Sequence, residues 1–246
     1  MAYWPDGKRA AVSLTFDDAR PSQVDNGLAL LDRHGLKASF YVSPSNLMER
    51  RDGWKKAVAA GHELGNHTMH HPCSGHYRWS REHALEDITL ATMENEMVTA
   101  NAVILHLTGY KAVTFGYPCD QTWVGRGADI RSYVPLVAKH FICGRGGMPE
   151  GMPVDPEWLD LSLVPCVALD GRSLDDLKAA VEKTVEAGSW IVPCGHEIGK
   201  PGFQVTDAGI LDAFCAWLKG RNDILVGTVA EVAGIIREKR GNGTRP

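Results

Sequence analysis

The stretch Ala10-Ala11-Val12-Ser13-Leu14-Thr15-Phe16-Asp17-Asp18 decides the interpretation of the fold, because it is an apolar run that ends in two adjacent acids. A short apolar run of this kind predicts a buried strand, which is typical of parallel sheets. In β/α folds the active site lies at the carboxyl ends of the parallel strands. The run therefore predicts a central strand and places two carboxylates where a site would be.

Strand-like and helix-like stretches alternate along the rest of the chain. Further predicted strands cover residues 37–42, 63–66, 113–117, 141–143, 161–167, 190–193 and 224–226. Predicted helices cover residues 23–34, 53–60, 81–107, 174–187, 207–218 and 229–237. Repeated strand–helix units predict a parallel α/β architecture. Because the composition shows no break, we predict one domain over residues 1–246, with a long loop at 144–156 and a flexible tail at 239–246.

Composition and charge exclude several classes of protein. The chain has 246 residues, of which 44% are hydrophobic and 23% are charged, so it is neither disordered nor fibrous. A net charge of −4 leaves no basic field for nucleic acid or an anionic membrane. No uncharged apolar run approaches the roughly 20 residues of a membrane-spanning helix. The first residues lack the pattern of a secretory signal, so we expect a cytoplasmic location.

The cysteines predict reduced thiols. The six cysteines at positions 73, 119, 143, 166, 194 and 215 include no Cys-x-x-Cys pair, which argues against a zinc–thiolate site or a redox motif. A disulfide framework would be unusual in a chain of this size. We therefore expect free thiols, mostly in the core.

A histidine cluster follows the strand predicted at residues 63–66. His67 and His71 are four residues apart, a spacing that puts both imidazoles on one helical face or turn and that metal sites use. Two neutral imidazoles and one carboxylate make a triad with open positions for water and substrate. The alternative is a group of surface histidines in a loop, which is less consistent with three histidines in five residues.

A third cluster, Ile191-Val192-Pro193-Cys194-Gly195-His196-Glu197, ends another apolar run. Histidine titrates near neutral pH, which suits a general acid that protonates a leaving group. The alternative is a structural histidine at a strand end. Together the three clusters predict metal-assisted hydrolysis, in which a metal lowers the pKa of water, Asp17 is the base and His196 is the acid.

At these residues the sequence resembles the polysaccharide deacetylases of the NodB-homology type, a carbohydrate esterase family. The motif TFDD is present at residues 15–18 and the motif H-[ST]-x-x-H-P at residues 67–72. The resemblance implies a distorted (β/α) barrel of seven or eight strands, of the glycoside hydrolase/deacetylase type. It also implies a divalent metal, usually Zn²⁺ with Co²⁺, Mn²⁺ or Ni²⁺ as alternatives, held by Asp18, His67 and His71. The same resemblance implies that Asp17 is the catalytic base and His196 the catalytic acid.

The sequence departs from the family at its third motif, R-x-P. Residues 115–119 keep Pro118 but have Gly116 where the arginine is expected. That arginine orients the base carboxylate, so its loss would raise the pKa of Asp17 unless another cation replaces it. We expect Arg145, at the end of a predicted strand, to be the replacement. The alternative is an arginine in a loop without this role.

The partner of His196 stays open, because the family's fourth motif, an acid with an aromatic residue, is not clearly present. The candidates are Asp155 with Trp158, and Asp170. Adjacent Glu197 is a further candidate that strand geometry disfavours.

For substrate binding we single out Tyr117, Pro118 and Trp123. Tyr117 is expected to form a wall of the site or to donate its backbone N–H to an oxyanion hole. Trp123, like Trp79 and Trp158, could stack on a sugar face, although scattered tryptophans are more often in the core or at its rim.

Three functions are compatible with these residues. The leading hypothesis is a metal-dependent hydrolase that removes acetyl groups from N-acetylated (or O-acetylated) carbohydrate. The second is an amidohydrolase of the same fold that acts on a small ureide or cyclic imide. The third is a catalytically degenerate carbohydrate-binding module. The expected partner is thus an acetylated sugar or another small amide, with no nucleic acid and no membrane, and a homo-oligomer is left open.

Overall fold

The computed structural model describes residues 3–146 and 154–241. The strands are β1 (Ala10–Val12), β2 (Thr15–Asp17), β3 (Ser39–Val42), β4 (Glu63–Asn66), β5 (Thr114–Gly116), β6 (Trp123–Val124), β7 (Arg131–Ser132), β8 (Cys143–Arg145), β9 (Val167–Ala168), β10 (Trp190–Ile191), β11 (Pro193–Gly195), β12 (Glu197–Gly199), β13 (Val205–Asp207) and β14 (Ile224–Val226). The helices are α1 (Leu28–His34), α2 (Pro44–Glu49), α3 (Arg51–Ala59), α4 (Leu90–Thr108), α5 (Val134–His140), α6 (Leu174–Ala187), α7 (Ala208–Lys219) and α8 (Val229–Gly241).

A curled seven-stranded sheet forms the barrel wall, in the order β8-β5-β4-β3-β2-β11-β9, and its strand pairs are parallel. A second parallel sheet, β10-β1-β14, continues the wall at its amino-terminal side. The predicted distorted (β/α) barrel is confirmed. Because the strands are parallel, Asp17, Asn66, Gly116, Arg145 and Gly195 all end their strands at the same rim.

Apolar side chains on both faces of the strands hold the barrel and its helices together. All residues of β1, β2, β3 and β4 are buried, as expected for a parallel sheet covered on both sides. Phe16 and Phe40 stack with their ring centroids 5.5 Å apart, and Trp54 of α3 meets Phe40 edge-on at 5.2 Å. This cluster fixes the end of β2, and therefore the two acids that follow it.

The helix ends agree with the local sequence. Gly35 caps α1 in the left-handed conformation with φ of 68°, which a glycine adopts readily at a helix end. Asp207 caps α7 by accepting hydrogen bonds from two backbone N–H groups, and Ser173 caps α6 with a reciprocal bond to Asp176. The helix predicted at residues 174–187 and the strand at 224–226 have the predicted bounds.

The segment at 81–107 differs from the predicted single helix, since α4 begins only at Leu90. Two 3₁₀ turns precede it, Arg78–His83 and Leu85–Asp87. Glu86 accepts hydrogen bonds from Ser74 Oγ (2.6 Å) and from the backbone N–H of Gly75 (2.8 Å). These contacts tie the turns to the histidine-rich loop, and that tertiary constraint overrides the helical periodicity.

The expectation of free thiols throughout is wrong, because Cys73 and Cys119 form a disulfide. The two cysteines are 46 residues apart, so no short sequence motif marks them as a pair. Only the folded chain brings them together. Cys143, Cys166, Cys194 and Cys215 are free.

Some predictions fall partly outside the described residues. Of the loop predicted at 144–156, Gly144 and Arg145 belong to β8, and residues 147–153 are not described. The tail predicted from residue 239 overlaps α8, which runs to Gly241, and residues 242–246 are not described. In the parts of the chain that are described, no helix has the length and apolarity to cross a membrane.

Glu63 anchors the last helix to the barrel from inside. Its carboxylate is buried and accepts hydrogen bonds from Ser39 Oγ (2.6 Å), Thr114 Oγ1 and the backbone N–H of Ala230 (3.0 Å). Burial raises the pKa of Glu63, although these donors lower it. One side chain therefore joins β3, β4, β5 and the first turn of α8.

We expect Glu63→Gln to lower the free energy of unfolding by about 1–3 kcal/mol, because the amide replaces one acceptor oxygen by a buried NH₂ group. The measurement is urea unfolding followed by circular dichroism. The control is Glu238→Gln on the exposed side of α8, which should stay within about 0.5 kcal/mol of the parent. Equal effects of the two substitutions would show that Glu63 does not anchor the helix.

Candidate active site

The rim of the barrel opens into a cleft of about 1240 Å³. Residues from all three sequence clusters line it, including Asp17, Asp18, His67, His71 and His196, and Arg145 also lines it. The structure therefore brings together the residues that the sequence singled out for chemistry.

Asp17 is paired with Arg145 at the bottom of this cleft. Arg145 Nη2 donates to Asp17 Oδ1, and both residues are buried. The guanidinium also lies 4.6 Å from the centroid of the Tyr41 ring. Burial raises the pKa of Asp17, but the charge of Arg145, followed by His67 and His196, outweighs it and holds the pKa below the usual value.

Gly116 leaves the space through which Arg145 reaches Asp17. Gly116 of β5 is the register partner of Arg145 of β8. A Cβ on Gly116 would lie 2.9 Å from Arg145 Nη2 and 2.7 Å from Tyr41 Cγ, which is too close for either neighbour. The guanidinium of Arg145 thus fills the space beside position 116, where the third motif would have its arginine.

Asp18, His67 and His71 point three ligand atoms at one another. Asp18 Oδ1 lies 3.5 Å from His67 Nε2 and 3.3 Å from His71 Nε2, and the two Nε2 atoms are 3.2 Å apart. His67 Nδ1 lies 2.8 Å from the carbonyl oxygen of Gly116. Because a carbonyl can only accept, Nδ1 carries the proton and Nε2 keeps its lone pair for a metal.

The charges in this group suit a cation. Burial, followed by the nearby His67, lowers the pKa of His71 to about 4, so its ring is neutral near pH 7. Burial raises the pKa of Asp18, but His67, His71 and Arg20 together lower it far more, so Asp18 is ionised. A carboxylate and two imidazoles form a donor set that zinc accepts, and their convergence fits a metal site.

The histidines lie in a tight turn, not on a helix. Thr68 and His71 have positive φ values of 64° and 52°. Asn66 Oδ1 accepts from the backbone N–H of Thr68 (2.8 Å), and Thr68 Oγ1 accepts from that of His71 (3.0 Å). His70 is turned away from the ligands and bonds to Glu96 at 2.7 Å.

His196 has a carboxylate partner, Asp170. Asp170 Oδ2 lies 2.7 Å from His196 Nδ1, while Oδ1 accepts from the backbone N–H of His196 (3.1 Å) and from Thr206 Oγ1 (2.6 Å). Burial lowers the pKa of His196, but the bond to Asp170, with the charges of Asp17 and Asp18, raises it overall. Of the candidate partners, Glu197 instead faces Arg20 and Ser22.

Two expectations about Tyr117 have different outcomes. Its ring lines the cleft, and its hydroxyl donates to the carbonyl oxygen of Ser162 (2.6 Å). Its backbone N–H donates to the carbonyl oxygen of Arg145 (3.0 Å), so it is not available for an oxyanion hole. The oxyanion role predicted for Tyr117 is therefore wrong, because strand pairing uses that donor.

Pro118 and Trp123 are not among the residues that line the cleft. Pro118 is buried and starts the turn that carries Cys119 and Asp120 to the cleft instead. Trp123 pairs with Ser132 in the β6–β7 ribbon and packs against the aromatic cluster around Tyr133. Their contact with substrate stays a prediction that the lining of this cleft does not support, since the chain turns between Tyr117 and Trp123.

Several residues of the cleft were not among the predicted site residues. Trp79 and Tyr77 project from the first 3₁₀ turn, with 63% and 48% of their surfaces exposed. Arg20 bonds to Asp18 Oδ2 at 2.9 Å, and Cys194 Sγ lies 3.4 Å from Asp17 Oδ2. Arg20 and Cys194 each stand two residues from a motif residue, which is a signal that sequence reasoning could have used.

Comparison with known proteins agrees with this geometry. The polysaccharide deacetylase family matches residues 5–122. A gellan lyase from Bacillus sp. is 28% identical over 155 residues, 63% of this chain and 5% of that protein. The peptidoglycan-N-acetylglucosamine deacetylase PgdA of Listeria monocytogenes is 29% identical over 108 residues, 44% of this chain and 21% of that protein. The chain thus spans only a small part of these relatives' lengths.

Solved structures share the fold over almost the whole chain. A putative polysaccharide deacetylase from Mycobacterium smegmatis superposes with a TM-score of 0.72 at 17% identity, covering 96% of this chain and 93% of that one. The Puue allantoinase superposes with a TM-score of 0.70 at 15% identity, covering 100% and 95%. At these identities the likeness shows the fold alone. This chain therefore shares the fold of these proteins, and over residues 5–122 its sequence is similar to the polysaccharide deacetylase family.

Proposed function

We propose that this chain is a metal-dependent hydrolase that removes acetyl groups from N-acetylated (or O-acetylated) carbohydrate. The observation that carries the proposal is the convergence of three groups in one cleft: the Asp18–His67–His71 set, the Asp17–Arg145 pair and the His196–Asp170 pair. Together they supply ligands, a base and an acid, which are the parts that hydrolysis of an amide or ester needs.

A divalent ion, Zn²⁺ by its donor set, would be held by Asp18 Oδ1 and by the Nε2 atoms of His67 and His71. When bound, such an ion polarises a carbonyl and lowers the pKa of water. Arg20 holds the second oxygen of Asp18, so that Oδ1 is the oxygen presented to the ligand cluster. The carbonyl of Gly116 fixes the ring of His67 in the same way.

Asp17 would take the proton from the attacking water. Arg145 holds Asp17 Oδ1 and keeps the carboxylate ionised, and Cys194 lies beside Oδ2. His196 would then protonate the leaving nitrogen or oxygen, with Asp170 holding its Nδ1 proton and favouring the cation. The pKa of Asp17 is thus lowered and that of His196 is raised, so that one can act as a base while the other acts as an acid.

The exposed aromatic rings favour a sugar chain as the substrate. The ring of Trp79 lies 5.8 Å from the ring of His71, and the ring of Tyr77 stacks on Trp79 at 5.6 Å. Phe203, 90% exposed, also borders the cleft. Aromatic faces of this kind suit the apolar faces of pyranose rings. A row of rings leading outward from the ligands therefore fits an oligosaccharide, with N-acetylglucosamine as the unit named for PgdA.

A small ureide or cyclic imide is the second candidate, favoured by the shared fold with the Puue allantoinase. The size of the cleft and its exposed tryptophan argue for the larger substrate. The binding-module hypothesis rested on the missing arginine, and the contact of Arg145 with Asp17 removes that support.

The proposed function is tested by acetate release from N-acetylglucosamine oligomers of one to five units, with zinc-loaded and chelated protein. We expect release that needs metal and that falls about 10²–10⁴-fold in Asp17→Asn. In Trp79→Ala we expect kcat/KM to fall roughly 3–10-fold for the longer oligomers and little for the monomer, since only a chain reaches the platform. Trp158→Ala, exposed but outside the cleft lining, is the matched control.

If the metal-loaded protein released no acetate from N- or O-acetylated sugars, the deacetylase proposal would be wrong. Turnover of ureides or imides by the same preparation would then favour the second candidate. A Trp79→Ala loss that is equal for all lengths would argue against an oligosaccharide.

The space shared by Gly116 and Arg145 gives a second prediction. Arg145→Ala and Gly116→Ala should each lower kcat about 100-fold, because both remove the cation from Asp17. The double substitution Gly116→Arg/Arg145→Gly should recover at least about tenfold over Arg145→Ala, since it returns an arginine to the family's usual position. Thermal unfolding shows whether each variant is folded, and a folded Gly116→Ala variant with full activity would contradict the steric argument.

The Asp170 contact predicts a pH effect. An acid must be protonated, so activity is lost as pH rises through the pKa of His196, which Asp170 raises. Asp170→Asn removes that charge, so the alkaline limb of the kcat–pH profile should move to lower pH, with kcat lowered about 100-fold. Glu197→Gln, a neighbouring carboxylate that faces Arg20, should leave the limb in place. If the alkaline limb of the kcat–pH profile stayed in place in Asp170→Asn, His196 would not be the catalytic acid.

A further inference from the structure

Two turns meet beside the proposed metal ligands, and a disulfide joins them. One turn follows β4 and carries His67 and His71, and the other follows β5 and carries Cys119 and Asp120. The Cys73–Cys119 bond links them across 46 residues of chain, with a Cα–Cα distance of 6.1 Å. The backbone N–H of Ser74 also donates to Gln121 Oε1 at 2.8 Å. The bridge therefore closes the cleft wall next to His71.

Both turns hold residues other than glycine in the left-handed region. His71 has φ of 52°, and Cys119 and Asp120 have φ of 52° and 54°. This conformation is unfavourable for residues with a Cβ, so it persists only where surrounding contacts over-determine it. Each turn thus needs an external restraint to keep its shape, and the disulfide provides one restraint to both.

The Sγ atom of Cys73 in this disulfide also lies next to the imidazole ring of His71. Cys73 Sγ is 3.7 Å from His71 Nδ1, on the opposite side of the ring from the Nε2 atom that faces Asp18. No other side-chain hydrogen-bond partner of Nδ1 is found among the described residues. The orientation of the His71 ring therefore depends on the position of Cys73 more than on a hydrogen bond of the kind that fixes His67.

Cys73 is itself held firmly. It is fully buried, its backbone N–H donates to Ser80 Oγ at 2.8 Å, and Ser80 Oγ donates to its carbonyl oxygen at 2.8 Å. On the other side of the bridge, Asp120 Oδ1 lies 3.8 Å from Arg145 Nη1. The disulfide thus connects Cys73, which Ser80 of the first 3₁₀ turn holds in place, with the turn whose Asp120 lies beside Arg145.

We propose that the Cys73–Cys119 disulfide is a positioning element for His71, so that breaking it weakens metal binding at the Asp18–His67–His71 set. The inference rests on the proposed function only through the role of His71 as a ligand. Reduction by an external dithiol breaks the S–S bond, yields two thiols on this chain and leaves the reductant as a cyclic disulfide. The metal affinity of the chain therefore depends on the redox state of these two cysteines.

The experiment is a Co²⁺ titration followed by absorption, with the oxidised parent chain, the reduced parent chain and the Cys73→Ala/Cys119→Ala variant. We expect one equivalent of Co²⁺ in the oxidised parent. In the double variant and in the reduced parent we expect binding about 10–100-fold weaker, the range found when groups that orient a ligand are lost. Cys215→Ala, which removes a buried free thiol in α7, is the matched control and should bind as the parent does.

Unchanged Co²⁺ affinity in the double variant and in the reduced parent would overturn the proposal. Tighter binding by the reduced parent, with a sulfur-to-cobalt charge-transfer band, would also overturn it, because the thiols would then be ligands themselves. If circular dichroism shows that the double variant does not fold, the proposal is judged from the Co²⁺ affinity of the reduced parent against that of the oxidised parent. A chain that binds no Co²⁺ in any state would contradict the proposed function as well, whereas equal binding in all states contradicts this inference alone.

Discussion

A buried ion pair between Asp17 and Arg145 is the interaction on which the site depends. Burying two charges is costly unless they lie close together and have further polar partners. Arg145 Nη2 meets Asp17, Nη1 lies 3.7 Å from Cys166 Sγ and 3.8 Å from Asp120, and the ring of Tyr41 covers the guanidinium. Its Nε has no hydrogen-bond partner among the described residues. The pair joins the carboxyl ends of β2 and β8, which are separated by β3, β4 and β5 in the curled sheet and end at the same rim.

Much of the fold could be predicted from the sequence, because the information is local. The buried run that ends at Asp17 and the spacing of His67 and His71 carry both the strand positions and the chemistry. Parallel strands then bring these groups to one rim without any further specification. The helix at 174–187 has strong caps at both ends, which explains why its bounds were predictable. The cytoplasmic location and the identity of the metal stay predictions.

The remaining features depend on contacts between distant parts of the chain. Asp170 reaches His196 because β9 pairs with β11, and no local pattern marks it. The disulfide joins turns 46 residues apart, and Tyr117 loses its N–H to strand pairing with Arg145. Trp123 lies outside the cleft lining for the same reason, since it packs against the cluster around Tyr133. The register of strand pairing and the packing of the core determine where these side chains lie, and residue type alone does not reveal it.

The shared space of Gly116 and Arg145 has a consequence for how related sequences are compared. The two positions behave as one unit that holds a single guanidinium, since a side chain at position 116 excludes the arginine at position 145. A search for the third motif alone would class this chain among degenerate relatives that have lost their catalytic machinery. Judged by the pair, a guanidinium lies beside Asp17 although position 116 holds a glycine. A comparison of this chain with similar sequences should therefore look for an arginine at either position of this register pair.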